Sequence, residues 1–346
     1  MYDLVDNLAD LTALRDRDAL DVALANTISD LLLPLCASIC RAVGDQGNER
    51  WRISAQIQAG TSGVFSDAAW MPFDQLPLLA KFPMRQLAIS GQIQESDDGQ
   101  HIVVFPLGGT PGNTGVLEIR LDAPLSAQRR DLVSGILRLY RNFSALLDYG
   151  ERDSLTDLLN RKTFDGAFLR ATLEQKNGSA EDNSHRQQER RDTEAYATYW
   201  LAMIDIDHFK RVNDNFGHLI GDEVLLLLAR LMRAHFRFND QIYRFGGEEF
   251  VALVRCHSEA EASALLDRLR ITTQNHVFPQ VGSITLSIGF SEVRAGDSPS
   301  AAIERADKAV YYAKEHGRNQ VCSYGSLVSN GGLVEPTTNV GDVELF

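Results

Sequence analysis

From residue 19 to residue 42 apolar side chains recur at spacings of three and four, through Leu20, Ala23, Leu24, Ile28, Leu31 and Leu32. That period predicts one long helix. Residues 51–59 alternate apolar and polar in the manner of a half-buried strand. Past a stretch rich in Ser, Gly and Asp (91–100), the segments HIVVFPL and GVLEIRL flank GGTPGNT, whose turn residues predict a hairpin. From Ser126 to about Asp148 the apolar positions Leu132, Ile136, Leu139, Phe143 and Leu146 step by four and three. Such a helix is either the seam of a two-stranded coiled coil, about 37 Å long at 1.5 Å per residue, or an amphipathic helix folded onto its own domain.

After Asp153 the pattern changes. A helix is predicted over 162–176, followed by the polar tract NGSAEDNSHRQQERRDTEA, which has almost no apolar content and is expected to be a mobile insertion. Then come a strand (YWLAMIDID), a helix (222–235), two strands (QIYRF and FVALVRC), a helix (259–273), a strand (SITLSIGF), a helix (299–316) and a strand (QVCSY). Strands and helices alternating around one antiparallel hairpin predict an α+β unit, a mainly antiparallel sheet with helices on its faces. The tail from residue 325 has little periodicity and is expected to be loose. The chain thus divides into a first module (1–125), a helical linker (126–152), a second module (153–325) and a tail (326–346).

The length of 346 residues suits two domains. A net charge of −13 disfavours nucleic acid as the main partner, because phosphate-backbone binding leaves a basic footprint. Cys36, Cys40, Cys256 and Cys322 show no C-x-x-C spacing and no accompanying histidine cluster, which fits a reduced, cytoplasmic chain. The longest apolar stretch, 28–43, is interrupted by Asp30, Pro34 and Arg41, and the opening MYDLVDNLAD is acidic where a secretory signal would be basic. Attachment to a membrane through a partner stays open.

Two segments carry chemistry. In AMIDIDHFKRVND an apolar strand ends in Asp205-Ile206-Asp207, which puts a carboxylate where the strand leaves the core. An Asp there can cap or form a turn, or it can hold Mg²⁺ that keeps waters and substrate phosphate. In RFGGEEFVALV, Gly246-Gly247 between two strand-like runs predicts a hairpin, and Glu248 and Glu249 crowd two negative charges at its tip. Those charges can be solvated, or a cation can offset their repulsion. With Asp205 on a neighbouring strand they would form an oxygen-rich site for one or two Mg²⁺ ions in phosphoryl transfer.

Taken together, DSLTDLLNR, DIDHFKRVND, RFND, GGEEF and AKEHGRNQV resemble the GGDEF family of diguanylate cyclases, in family order across the second half of the chain. The resemblance implies a palm-like fold akin to nucleotide cyclases and polymerases. It also implies condensation of two GTP molecules into cyclic di-GMP with release of pyrophosphate. By the same resemblance Asp205, the main-chain carbonyl of Ile206 and Glu248 would hold Mg²⁺ (Mn²⁺ could replace it), with Glu249 close by. Glu248 would help deprotonate the attacking ribose 3′-hydroxyl. Lys210 would neutralise charge growing on the triphosphate, while Phe209, Gly246 and Gly247 would line the nucleotide. Lys314 and Arg318, four apart and so expected on one helical face, would grip the β- and γ-phosphates. Asn213 and Asp222 would read guanine, which suits an amide and a carboxylate facing its amide edge. His218 lies at a third nucleoside-contact position, or simply begins a helix. Arg237 and Asp240 match the R-x-x-D product-inhibition site, unless they form an ordinary surface ion pair, and Arg268 would add a second contact from another face.

Three departures stand out: Asp157 where glycine is common, Glu248 for the more frequent aspartate, and the long insertion before Tyr199. The first module resembles GAF regulatory domains in its order of helix, sheet and exit helix, with a PAS-like sensor as the structural alternative and an inert dimerisation module as the functional one. It would take a small-molecule or protein signal. A symmetric product made from two GTP molecules, one per domain, requires two domains face to face, and this favours a homodimer joined through the linker helix. The competing reading is a receptor module that binds GTP or cyclic di-GMP without turnover.

Overall fold

The computed structural model describes residues 14, 17–44, 47–61, 63–67, 71, 73–97, 99–108, 114–180, 197–237 and 240–334. The chain forms two compact units, Met1–Glu151 and Arg152–Phe346.

The first unit begins with α1 (Arg17–Leu32), β1 (Cys36–Val43) and β2 (Arg50–Gln58), then α2 (Pro83–Ala88), β3 (Gln94–Ser96), β4 (His101–Gly108), β5 (Gly115–Leu121) and α3 (Ala127–Glu151). The single helix expected over 19–42 is therefore a helix and a strand. Leu33 takes a positive φ of 50°, Pro34 follows, and no helix continues through that pair. All of β1 is buried, so it shows no alternation and reads as one apolar run. Its sheet, in the order β2-β1-β5-β4-β3, is antiparallel throughout. Of the GGTPGNT connection, residues 109–113 lie outside the described residues.

One face of this sheet, through Ala37, Ile39, Leu117 and Ile119, packs on Leu20, Leu24 and Ile28 of α1 and on Val133, Ile136, Leu137 and Tyr140 of α3. A buried polar network crosses the same core. The Asp21 carboxylate accepts from Arg41 Nε (3.1 Å) and Nη2 (2.6 Å) and from the Tyr140 hydroxyl, joining α1, β1 and α3. The seam positions of α3 thus divide: Ile136 belongs to this core, whereas Leu132, Leu139 and Leu146 are 39%, 49% and 67% exposed. On the other sheet face Arg85 Nε donates to Glu118 at 2.6 Å.

The second unit comprises β6 (Leu159–Asn160), α4 (Arg161–Ala180), β7 (Thr198–Ile206), α5 (Phe209–Phe216), α6 (His218–His235), β8 (Gln241–Gly246), β9 (Glu249–Cys256), α7 (Glu259–Asn275), β10 (Leu286–Glu292), α8 (Pro299–Glu315), β11 (Val321–Ser323) and α9 (Tyr324–Ser329). The sheet order is β11-β10-β7-β9-β8-β6, antiparallel in the middle and parallel at both edges. Alternation sorts the side chains. Trp200, Ala202 and Ile204 meet α5, α6 and α7, while Leu201 and Met203 meet α4 and α8. At Gly289 a side chain would stand 2.2 Å from the Val310 nitrogen and 2.4 Å from the Ala306 carbonyl oxygen. Helix α8 therefore rests directly on the backbone of β10.

Three expectations change. The polar-looking HFKRVNDNF forms α5, because Phe209 and Val212 alone suffice to bury one side of a two-turn helix. The tail is not loose at its start: α9 forms, and Leu327, Val328 and Leu333 pack around Ala309, Ala313 and Tyr324. Helix α4 runs to Ala180, past its expected end; residues 181–196 of the insertion, and 335–346 of the tail, lie outside the described residues. Among the described residues all four cysteines are free and buried, and no helix is long and apolar enough to cross a membrane.

Candidate active site

The inner strands deliver the acidic groups. Asp205 is the penultimate residue of β7 and pairs in register with Glu249 of β9 and Ser287 of β10. Its parity with Leu201 and Met203 turns it to the α8 side of the sheet, and there Lys314 Nζ sits 2.7 Å from its Oδ2. Ile206 is buried at the strand end, Glu248 is half-buried in the β8–β9 turn, and Gly246, Gly247 and Glu249 are exposed beside it.

Electrostatics agree with one shared pocket of negative charge. Burial raises the Asp205 carboxyl above its usual range, the charges of Glu249 and Asp207 add to this, and the Lys314 bond opposes it. Burial likewise raises Glu248, and the charges of Asp205 and Glu249 push the same way against Lys314. Carboxylates that hold one another in the protonated direction favour a hard cation. Among the described residues no three His, Cys, Asp or Glu side chains converge as a ready metal cluster. Two carboxylates and a main-chain carbonyl still fit Mg²⁺, which keeps several waters and takes one or two protein carboxylates.

Two braces of this turn were not singled out from the sequence. Arg244 donates from Nε and Nη2 to the Gly247 carbonyl (3.1 and 2.9 Å) and from Nη1 to Asp153 (2.9 Å). Asp153 also accepts from the nitrogen and hydroxyl of Thr156, at 2.8 and 2.7 Å. Burial raises the Asp153 carboxyl, but the bonds from Thr156 and Arg244 prevail and hold it below its ordinary value. The first motif, DSLTDLLNR, thereby reaches the glycine turn. Asp157, at the position where glycine is common, does take a positive φ of 56°, and its side chain lies 3.3 Å from Arg233.

Helices α5 and α6 supply the other side chains. Phe209, expected to line the nucleotide, is instead buried in the core, whereas Lys210 is exposed. Asn213 lies against α6: a side chain at Gly221 would stand 2.0 Å from its Oδ1. The missing Cβ brings the Asn213 amide next to the residue preceding Asp222. His218 begins α6, exposed, and so does fill the helix-start position. The expectation that Lys314 and Arg318 share one helical face is corrected. Helix α8 ends at Glu315, and Arg318 lies in the following turn with φ +63°, its nitrogen donating to Ala313 at 2.9 Å.

Arg237 and Asp240 stand apart from this group. The Asp240 carboxylate accepts from the Arg237 nitrogen at 2.8 Å, and the Arg237 side chain is largely exposed, 3.4 Å from Glu261. Phe238 and Asn239 between them lie outside the described residues. Arg268, on α7, is exposed, and its charge lowers His235 after burial does. A cavity of about 180 Å³ beside Asp207, Arg211 and Thr285 contains none of the expected metal or guanine ligands.

With this geometry in hand, residues 151–320 match the family described as "Diguanylate cyclase, GGDEF domain". The chain is 46% identical over 124 residues to diguanylate cyclase DgcP of Pseudomonas aeruginosa, covering 35% of this chain and 18% of that protein. It is 31% identical over 288 residues to response regulator PleD of Caulobacter vibrioides, covering 77% of this chain and 58% of that protein. Among solved structures, the GGDEF domain of DgcB from Caulobacter crescentus, in complex with c-di-GMP, is 32% identical, with 51% of this chain and 96% of that chain covered and a TM-score of 0.44. Residues 151–320, all but the first of them in the second unit, thus carry a GGDEF domain. The chain spans less than two thirds of the length of DgcP and of PleD.

Proposed function

We propose that this protein is a diguanylate cyclase, joining two GTP molecules into cyclic di-GMP with loss of two pyrophosphates. The observation that carries the reading is Asp205 at the end of β7, in register with Glu249 and electrostatically coupled to Glu248 of the glycine turn, with Lys314 of α8 2.7 Å from it. Acidic groups able to hold a divalent cation thus stand beside a base able to hold phosphate. Asp205, Glu248 and the carbonyl of Ile206 are the residues that would hold Mg²⁺, which when bound supplies positive charge to the triphosphate and acidity to the attacking hydroxyl.

The chain's own groups perform the rest. Asn213 and Asp222 bind the guanine edge, selecting a base that offers N–H donors to a carboxylate. Lys210, Lys314 and Arg318 balance charge on the triphosphate as the α-phosphate is attacked. Glu248, whose carboxyl lies above its usual range, takes the proton from the 3′-hydroxyl. Each domain contributes one GTP, so the active species is a homodimer. The exposed row Leu132, Leu139 and Leu146, spaced seven apart on α3, supports association through that helix.

The first unit is read as a GAF-like sensor over 1–125 whose signal alters the packing of the helical linker, 126–152, and so the facing of two catalytic domains over 153–325. Arg237, Asp240 and Arg268 are read as the site where cyclic di-GMP inhibits, supported by the exposure of both arginines. Incubating the purified chain with GTP and Mg²⁺ and resolving the nucleotides tests the central claim. Cyclic di-GMP and pyrophosphate are expected. Bound but unconverted GTP, after bound product has been stripped, would establish the receptor reading instead.

A further inference from the structure

The turn after α8 has a backbone that L residues avoid. Gly317, Arg318 and Asn319 carry positive φ values of 108°, 63° and 45° in succession. Three neighbours hold it. The Asn319 nitrogen donates to Asp207 Oδ2 (3.0 Å), its side-chain Oδ1 accepts from Arg270 Nη1 (3.0 Å), and Gln320 Nε2 donates to the carbonyls of Ala313 and His316 (2.9 and 2.8 Å). Asp207 is the inner anchor. It is 7% exposed and also accepts from Thr285 Oγ1 and Ser287 Oγ, both at 2.6 Å, while its own nitrogen donates to the Thr285 carbonyl at 3.0 Å.

An aspartate that merely shapes a turn bonds to backbone a few residues away. The three donors to the Asp207 carboxylate lie 78, 80 and 112 positions away in sequence. They belong to the residue preceding β10, to β10 itself and to the turn that carries Arg318. All three are neutral, so the carboxylate is spent on geometry rather than on an ion pair.

We propose that Asp207 is a positioning residue for triphosphate binding. It locks the left-handed turn so that Arg318 is presented on the same side as Lys314, and it ties that turn to the strand end from which Asp205 projects two residues earlier. One strand terminus then sets both the acidic cluster and the phosphate-gripping turn. The proposal rests on the reading of this pocket as a GTP site, and it adds a residue that touches neither nucleotide nor cation.

The test compares two ligands on the full chain with Mg²⁺, by calorimetry: a non-hydrolysable GTP analogue, which reaches the turn, and GMP, which lacks the β- and γ-phosphates. Asp207→Ala should weaken the analogue about ten-fold, the scale of one charge-assisted phosphate contact, and leave GMP within about two-fold. Asp207→Asn should recover most of that loss, because its carbonyl can face Thr285 and Asn319 while its amide donates to Ser287. Equal losses for both ligands, or none for either, would overturn the proposal. Should Asp207→Ala not fold, Thr285→Val removes one prop and keeps the carboxylate. The same pair of ligands then decides: a loss confined to the analogue supports the proposal, and equal losses or none overturn it. Wild-type protein that binds neither ligand would instead overturn the reading of the pocket on which the proposal rests.

Discussion

Replacing Gly221 by alanine separates guanine recognition from folding. The position lies inside α6 with ordinary helical backbone, so alanine should gain roughly 1 kcal/mol of helix propensity. Its methyl carbon, however, would stand 2.0 Å from Asn213 Oδ1, 3.1 Å from Asn213 Cγ and 3.3 Å from Phe209 Cζ. The Phe209 contact can relax by a few tenths of an ångström; the Asn213 contact cannot, and the amide must rotate away. Overpacking of this kind costs about 1–3 kcal/mol when core must move, and less when the yielding group is the end of a polar side chain. Net stability should therefore change by no more than about 1 kcal/mol, read as the urea midpoint at unchanged slope. The proposed Asn213 contact to guanine should be lost, worth about 1–2 kcal/mol for one or two hydrogen bonds, or roughly five- to thirty-fold in GTP-analogue affinity. Calorimetric titration with that analogue beside ITP, which lacks the 2-amino group, gives the assay. Unchanged analogue affinity in a folded Gly221→Ala protein would refute the placement of Asn213 at the base, and a collapse in stability would refute the claim that only a side-chain end is in the way.

Other outcomes follow from the same contacts. Arg244→Met removes three bonds that brace the glycine turn, so turnover should fall by at least ten-fold and the second unit should lose about 2–3 kcal/mol in denaturant titration. Leu139→Glu, at a 49% exposed position, should leave the melting temperature nearly unchanged while lowering both the dimer fraction in sedimentation and the activity. The first unit should weaken in acid through Glu118. Burial raises that carboxyl, yet Arg85 and Arg120 overcome the effect and hold it below its ordinary value. A depressed carboxylate contributes stability above its unfolded pKa and loses it as pH falls through the folded value. Glu118→Gln should accordingly flatten the acid limb of a stability–pH curve measured below about pH 4.5.

How much of this could be read directly differs from segment to segment. The β8–β9 hairpin was legible because Gly246-Gly247 between alternating runs has few other solutions. The strand β1 was not, since full burial erases alternation and its apolar residues continue the period of α1 across Pro34. Helix α5 is not legible in the sequence because the side it buries is only two residues wide. The acidic residues Asp205, Glu248 and Glu249 stand out by type and position, whereas the basic ones follow only from the family resemblance. Arg244 and Asp153 do neither, because an arginine in a strand and an aspartate after a helix signal nothing until the chain brings them within 2.9 Å.

By itself the sequence determined the α+β character of the second half, its antiparallel hairpin and the crowding of acidic residues at that hairpin's tip, because periodicity and turn chemistry are local properties. Tertiary structure alone decided that Lys314 meets Asp205, that Arg318 leaves the helix for a left-handed turn, and that Asp207 anchors it. These are contacts between strand ends and helix ends far apart in the chain. Their geometry depends on how closely α8 can approach β10 at Gly289, a packing distance that no local pattern encodes.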